Sequence, residues 1–178
     1  AAQNHAGAQF KLGFVYDEGR GVETDEVEAV KWYRLAAAQD DADGQCNLGS
    51  MYDDGRGVKK DEVEAVKWYR LAAAQNHAEA QNNLGLLYAE GRGVKKDEAE
   101  AVKWYRLAAA QNHAMAQNNL GLAYEDGRGV KKDEVEAVKW FRLAAAQNHA
   151  LALYNLGVMY RNGRGVEKDA VEAVQECR

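Results

Sequence analysis

The sequence predicts an all-α solenoid built from two-helix repeats. Three observations predict it. Trp stands at 32, 68, 104 and 140, and Leu-Gly pairs begin at 12, 48, 84, 120 and 156, so both series step by 36 residues. A fixed period between 20 and 50 residues marks a repeat architecture, and helix–turn–helix repeats fall near this value. The string "GRGVETDEVEAVKWYRLAAAQ", Gly19 to Gln39, returns almost unchanged at Gly55, Gly91 and Gly127, and its first half returns at Gly163. Finally, the chain has no proline, and its most faithfully repeated segment is rich in Ala, Leu, Lys and Arg, all good helix formers.

The elements follow in order within each unit. The first helix, A, is expected over residues 6–18. Gly19 and Gly21 can take positive φ, end that helix and turn the chain. Asp25 then reads as an N-cap, with Glu28 three residues on as the other half of a capping box. The same Asp-x-x-Glu pair recurs at Asp61/Glu64, Asp97/Glu100, Asp133/Glu136 and Asp169/Glu172. The second helix, B, is expected over residues 25–39. Its later copies end at Asn76, Asn112 and Asn148, a residue type that tolerates the left-handed cap conformation.

Composition excludes several functions. The 178 residues are 47% apolar and 29% charged, which is globular. A net charge of -5 argues against nucleic-acid binding, which needs a clustered Lys/Arg surface. No apolar run approaches the ~18 residues of a membrane span, so no membrane insertion is expected. Cys46 and Cys177 form no disulfide framework. They lie nearly four repeats apart, so a bond between them within one chain is not expected. The opening "AAQNHA" lines up with Ala37–Ala42, so the sequence reads as a piece cut from a longer array.

The pattern A-x-A-x-x-x-L-G-x-x-Y, then G-R-G-V-x-x-D, then A-x-x-W-Y-x-x-A-A resembles the Sel1-like repeat (SLR) family, a relative of the tetratricopeptide repeat. The resemblance covers almost the whole chain in five registers. It implies a right-handed superhelix of antiparallel helix pairs whose A helices line a concave side. It also implies an adaptor that binds other proteins, and not an enzyme. One solenoid domain over 1–178 is expected, with repeats at 6–41, 42–77, 78–113, 114–149 and 150–178, the last truncated or capping. Local departures are Asp40-Asp41 for Asn-His, and "VQECR" where "VKWYR" is expected.

Comparing the repeats with one another points to a candidate site. Stacking positions must recur, whereas positions that meet a ligand are free to differ. With Ala6 at 0° and about 100° per residue, the recurring Ala8, Leu12, Gly13 and Tyr16 fall at about 200–340°. The changing positions 7, 10, 14, 17 and 18 fall at about 20–120°. The candidate binding residues on this side are Phe10, Phe14, Asp17, Ser50, Asp53, Asn82, Leu86, Asn118, Leu122, Glu125, Tyr154, Val158 and Arg161. A row of amides, Asn47, Asn83, Asn119 and Asn155, borders it at about 140°, with Lys11 in the first unit. Asn offers a donor and an acceptor to a peptide backbone. Equally, such an amide ties one helix to the next loop.

These changing positions hold nine acids and one base, Arg161. Acids in the last turn of a helix oppose its dipole, which stability alone would not favour. A cationic, partly apolar protein or peptide is therefore the expected ligand. The opposing explanation is that Arg20, Arg56, Arg92 and Arg128 offset the acids. The outer side of helix B (Glu28, Lys31, Arg34) reads as constant and charged.

Other motifs yield no chemistry. His5, His77, His113 and His149 all stand in "QNHA", one or two repeats apart, so they read as capping or packing residues rather than metal ligands. "GRGV" lacks the phosphate-loop pattern, and Ser50 lacks the x-x-Lys of a β-lactam-binding serine. No cofactor or metal is expected. The four Trp residues read as core or inter-repeat packing, and Glu176 takes the place of a fifth. The competing function is a structural module, or a consensus array without a ligand, with end-to-end self-association through the terminal helices.

Overall fold

The structure, a computed structural model, describes residues 5–169. Every regular element among them is an α-helix. The chain divides into two compact units, residues 1–96 and 97–178. The first holds α1 (Ala6–Glu18), α2 (Glu26–Ala37), α3 (Ala42–Asp54), α4 (Glu62–Ala74) and α5 (Ala78–Glu90). The second holds α6 (Glu98–Ala110), α7 (Ala114–Asp126), α8 (Glu134–Ala145) and α9 (Ala150–Asn162). Odd-numbered helices are the A helices and even-numbered ones the B helices. Within each unit every helix packs on its neighbours in sequence, and α1 also meets α3. Glu172, Glu176 and Cys177, each singled out in the sequence, lie outside the described residues.

Local chemistry sets the helix ends. Gly19, Gly55, Gly91, Gly127 and Gly163 close the A helices in the left-handed conformation. The following N–H then reaches back to a helix carbonyl, as Arg56 does to Met51 at 3.0 Å. The B helices stop earlier than residue 39 and its equivalents. Asn76 N–H bonds the Ala73 carbonyl and His77 N–H the Ala72 carbonyl, a Schellman closure with Asn76 at φ 64°. Asp40 takes the same left-handed position in the first repeat, at φ 59°.

The Asp N-caps form as expected: Asp25 Oδ1 accepts from Glu28 N at 2.9 Å. The reciprocal half of the capping box is absent at Asp25. Its N–H already donates to the Tyr16 carbonyl, and Glu28 instead takes Lys31 Nζ at 2.6 Å. At the A helices, Nδ1 of His77, His113 and His149 accepts from the N–H three residues on, at 3.2–3.4 Å. Asp41 does the same for Gly44 at 2.8 Å. The QNHA histidines after the first repeat are therefore caps.

The core of each unit is made of small residues and a few large ones. In the first, Ala29, Val30, Tyr33, Leu48 and Met51 cluster, and Trp68 of the next repeat packs onto them. In the second, Val138, Phe141, Leu156 and Met159 play the same part. Each large apolar side chain so enclosed contributes roughly 1.5–3 kcal/mol. The Leu-Gly pair divides the labour. Leu48 is fully buried, while Gly49 leaves room for the Tyr69 ring, which a Cβ there would meet at 2.9 Å.

A buried amide also recurs. Gln45 and Gln117 each accept at 2.8 Å from a glutamine 30 residues on, Gln75 and Gln147. They also donate to the Ala37 and Ala109 carbonyls. A buried polar side chain is tolerable only with such partners.

Candidate interaction surface

The changing side of helix A splits into two rows in the structure. Positions 7, 11, 14 and 18 with their equivalents form an open stripe. On α3 these are Asp43, Asn47, Ser50 and Asp54; on α5, Glu79, Asn83, Leu86 and Glu90; on α7, Met115, Asn119, Leu122 and Asp126. Each is exposed or half-buried. Phe14 on α1 and Val158 on α9 are half-buried members of the same stripe.

Positions 10 and 17 behave differently. Asn82 is 0% and Asn118 2% exposed, and Cys46 is buried beside them in sequence register. Asn82 and Asn118, expected on a ligand-binding face, are therefore packing residues. Asn118 Oδ1 accepts from Asn155 Nδ2 at 2.9 Å, and Asn82 Nδ2 donates to Asn83 Oδ1 at 3.2 Å. Phe10 is half-buried against the Tyr33 ring, 6.0 Å between centroids. Burial also pushes the Cys46 thiol well above the usual thiol range.

Position 17 is an ionic joint between repeats. Asp17 takes Arg56 at 2.8 Å, Asp53 takes Arg92 at 2.7 Å, and Glu125 takes Arg164 at 2.8 Å, each arginine 39 residues on. The Tyr33 hydroxyl also donates to Asp17 at 3.3 Å. Burial, and then the Asp17 charge, push the Tyr33 phenol up. Burial raises the Asp53 carboxyl despite the pull of Arg92, while Asp53 and Glu90 hold Arg92 protonated against the burial that would lower it. Asp17, Asp53 and Glu125 were expected to face a ligand. They face the next repeat's arginine instead.

The remaining terminal acids are also engaged. Arg56 reaches Asp54 at 3.7 Å, Arg92 reaches Glu90 at 2.6 Å, and Arg128 reaches Asp126 at 3.1 Å. Offsetting by arginine therefore accounts for most of the acid row. Asp43 lies 3.0 Å from His77 Nε2. Within the amide row, Asn47 Nδ2 donates to the carbonyl of Asp43, and Asn155 ties α9 to α7. Ser50 Oγ donates to Asp54 at 3.4 Å.

Tyr154 and Arg161 belong to the buried rows by position, yet both are exposed on α9. The outer side of the B helices also differs from its purely charged reading. Leu35, Leu71, Leu107 and Leu143 are about half exposed there, as are Val27, Val63 and Val135. Each is flanked by a Glu–Lys pair such as Glu28–Lys31. Two signals for the buried rows were present in the sequence. An acid at 17, 53 and 125 is answered by Arg at 56, 92 and 164, and glutamine recurs at 9, 45, 81 and 117, giving way to Leu153 in the fifth repeat. No helix among the described residues is long and apolar enough to cross a membrane.

Comparison with known proteins gives these features a family context. The Sel1 repeat family matches residues 6–41, 42–77, 78–113, 114–149 and 150–175. A Sel1 repeat protein from Oxalobacter formigenes is 42% identical, with a TM-score of 0.92; the match covers 98% of this chain and 69% of that one. A protective antigen of uropathogenic Escherichia coli with an SLR fold is 38% identical, with a TM-score of 0.90. That match covers 98% of this chain but 37% of the antigen, so the chain spans little over a third of it. The Helicobacter pylori cysteine rich protein B is 27% identical, with a TM-score of 0.58 over 75% of this chain and 96% of that one. Among curated proteins, none matches.

Proposed function

The chain belongs to the Sel1 repeat family, a group of helical repeat proteins that are commonly protein-interaction scaffolds and generally not enzymes, and on that premise we propose that it binds a protein or peptide segment along the open stripe of its A helices. The observation that carries the reading is a contrast inside single helices. Recurring positions such as Leu48 and Leu84 are buried, while the differing ones, Ser50, Leu86 and Leu122, line the open stripe. A stacked repeat holds its core leucines constant, whereas its open side is free to differ.

The stripe mixes apolar side chains with amides. In residues 1–96, Phe14 and Leu86 belong to it with Asn47 and Asn83. In residues 97–178, Met115, Leu122 and Leu151 belong to it with Asn119 and Asn155. The ligand is therefore a partly apolar segment whose backbone meets the amides. A base on the ligand would suit Asp54 and Glu90, but their arginines leave charge a minor contributor. Arg161 and Tyr154 lie to one side of this stripe.

Peptides selected from a random displayed library supply the test. Leu86→Glu or Leu122→Glu should weaken the best binder about tenfold or more, the cost of a buried contact at an interface centre. Leu122 also packs against the core of its unit, so circular dichroism must show that each variant remains folded. Leu71→Glu on helix B should leave binding intact. Raising salt from low to high should weaken binding only about two- to fivefold, because the acids are already paired. If Leu71→Glu is the change that abolishes binding, the A-helix stripe is not the recognition surface.

The near identity of the repeats favours one other reading, an assembly module without a ligand. Concentration-dependent end-to-end association, with no peptide selected, would establish it.

A further inference from the structure

The arginines of the loops and those of the B helices are neutralised differently. In the loops, Arg20, Arg56, Arg92, Arg128 and Arg164 each lie within 4.0 Å of a carboxylate. On the B helices, Arg34, Arg70, Arg106 and Arg142 are exposed, and each donates to a tyrosine hydroxyl of the following A helix at 2.6–2.9 Å. The guanidinium carbon of Arg34 stands 5.6 Å from the centre of the Tyr52 ring, and that of Arg106 5.9 Å from the Tyr124 ring. None of these four arginines forms an ion pair among the described residues. Stacking of one repeat on the next explains the bond to tyrosine. It does not explain a cation left without a counter-charge in a chain of net charge -5.

An apolar side chain accompanies the pair. Val27, Val63 and Val135 lie seven residues before Arg34, Arg70 and Arg142, on the same side of their helices, and are 53–55% exposed. The lysines of this side are already matched. Lys31, Lys67, Lys103 and Lys139 each pair with a glutamate three residues earlier. The B helices therefore present separate cations beside apolar side chains rather than a continuous basic patch.

We propose that these Arg–Tyr pairs, two in residues 1–96 and two in residues 97–178, receive carboxylates from an acidic, partly apolar segment of a partner protein. The tyrosine hydroxyl accepts from the arginine and keeps its own proton to donate. A carboxylate has two oxygens, one for that proton and one for a guanidinium N–H, in a charge-assisted contact. The half-exposed valine receives an apolar side chain next to the carboxylate. An anionic membrane surface is held by clusters of several unpaired bases, and here Glu28 and its equivalents stand among them. The surface lies on the B helices, so it stands or falls separately from the open stripe of the A helices.

Two fluorescein-labelled amphipathic peptides test it, one with Glu and Leu on one face and the other with Gln in place of every Glu. Each is titrated into the full chain by fluorescence anisotropy. The Glu peptide should bind about tenfold more tightly, as a charge-assisted hydrogen bond gives. Combining Arg34→Gln, Arg70→Gln, Arg106→Gln and Arg142→Gln should abolish that preference without changing the circular dichroism spectrum. In the wild-type chain, where no variant has to fold, the side-chain Nε–H resonances of Arg34 and Arg106 should shift with the Glu peptide and stay in place with the Gln peptide. Val27→Ser combined with Val63→Ser and Val135→Ser should weaken both peptides. Leu86→Glu, which disables the A-helix stripe, should leave the Glu peptide bound as before. Binding of neither peptide, equal binding of both, or a preference that survives loss of the four arginines overturns the proposal. So does binding to phosphatidylserine vesicles that the four-arginine variant loses, which would make this face a membrane contact.

Discussion

Replacing Gly57 with alanine should destabilise the chain far more than the same change at Gly21, although the two glycines hold the same place in their repeats. Both sit at positive φ, 60° and 78°. That conformation costs an L-residue about 1–2 kcal/mol. The surroundings differ. A Cβ on Gly57 would stand 2.1 Å from the Glu26 carbonyl oxygen and 2.3 Å from its carbon, backbone against backbone. A Cβ on Gly21 meets nothing within 4 Å. Relief at Gly57 requires the loop to lift from the start of α2, which pulls Arg56 away from Asp17.

Overpacking of this kind adds about 1–3 kcal/mol. Gly21→Ala should therefore cost about 1–2 kcal/mol, from the backbone conformation alone. Gly57→Ala should cost about 2–5 kcal/mol in total. Urea unfolding followed by circular dichroism at 222 nm reads both. Gly129→Ala, whose Cβ would lie 2.0 Å from the Glu98 carbonyl oxygen, should repeat the large loss in residues 97–178. Equal losses at Gly21 and Gly57 would refute the close backbone approach between repeats as the reason for the second glycine.

Three further outcomes are expected. His149→Ala should cost about 1 kcal/mol by removing a cap, whereas His149→Asp should retain it, because Asp41 caps α3 in the same way; urea midpoints of the two variants decide. Burial raises the folded-state value of Asp53 above that of the unfolded chain, so the unfolded chain loses its proton first as pH rises. The share of stability from this group is thus fully present below about pH 3.9 and is lost as pH climbs through the folded value. The Asp53→Asn variant should gain on wild type between acid and neutral pH, checked by paired thermal melts, and a constant difference would contradict this. In a Cys177→Ser background, the enclosed Cys46 thiol should resist a disulfide exchange reagent until urea unfolds the chain, and rapid native labelling would show that the site opens.

The helices were legible because their ends are written in local chemistry. Gly19 and Asn76 mark left-handed closures and Asp25 an N-cap, and each acts within a few residues of itself. The span of helix A was legible to the residue. Helix B ends before residue 39 although Ala38 and Gln39 are compatible with a helix, because the Schellman bonds after Ala74 and its equivalents close the last turn.

The candidate surface was harder to read. A helical wheel gives the angle of Asn82 or Asp17, but not the direction of the next helix. Positions 10 and 17 fall only about 40–60° from Gly13 on the wheel, and this row faces the following repeat. Variation at Cys46, Asn82 and Asn118 thus reflects how neighbouring repeats fit together. The acids misled for the same reason. Their partners lie 39 residues on, beyond the reach of any local pattern, although the matched series Asp17/Arg56, Asp53/Arg92 and Glu125/Arg164 was there to be compared.

The most direct test of the central claim is a map of where a ligand touches. A selected peptide titrated into isotope-labelled chain should shift the amide resonances of Asn47, Ser50, Asn83 and Leu86 on the A helices, and leave those of Leu35 and Leu71 on the B helices in place. Shifts gathered on Val63, Leu71 and Leu107, with the A helices silent, would contradict it.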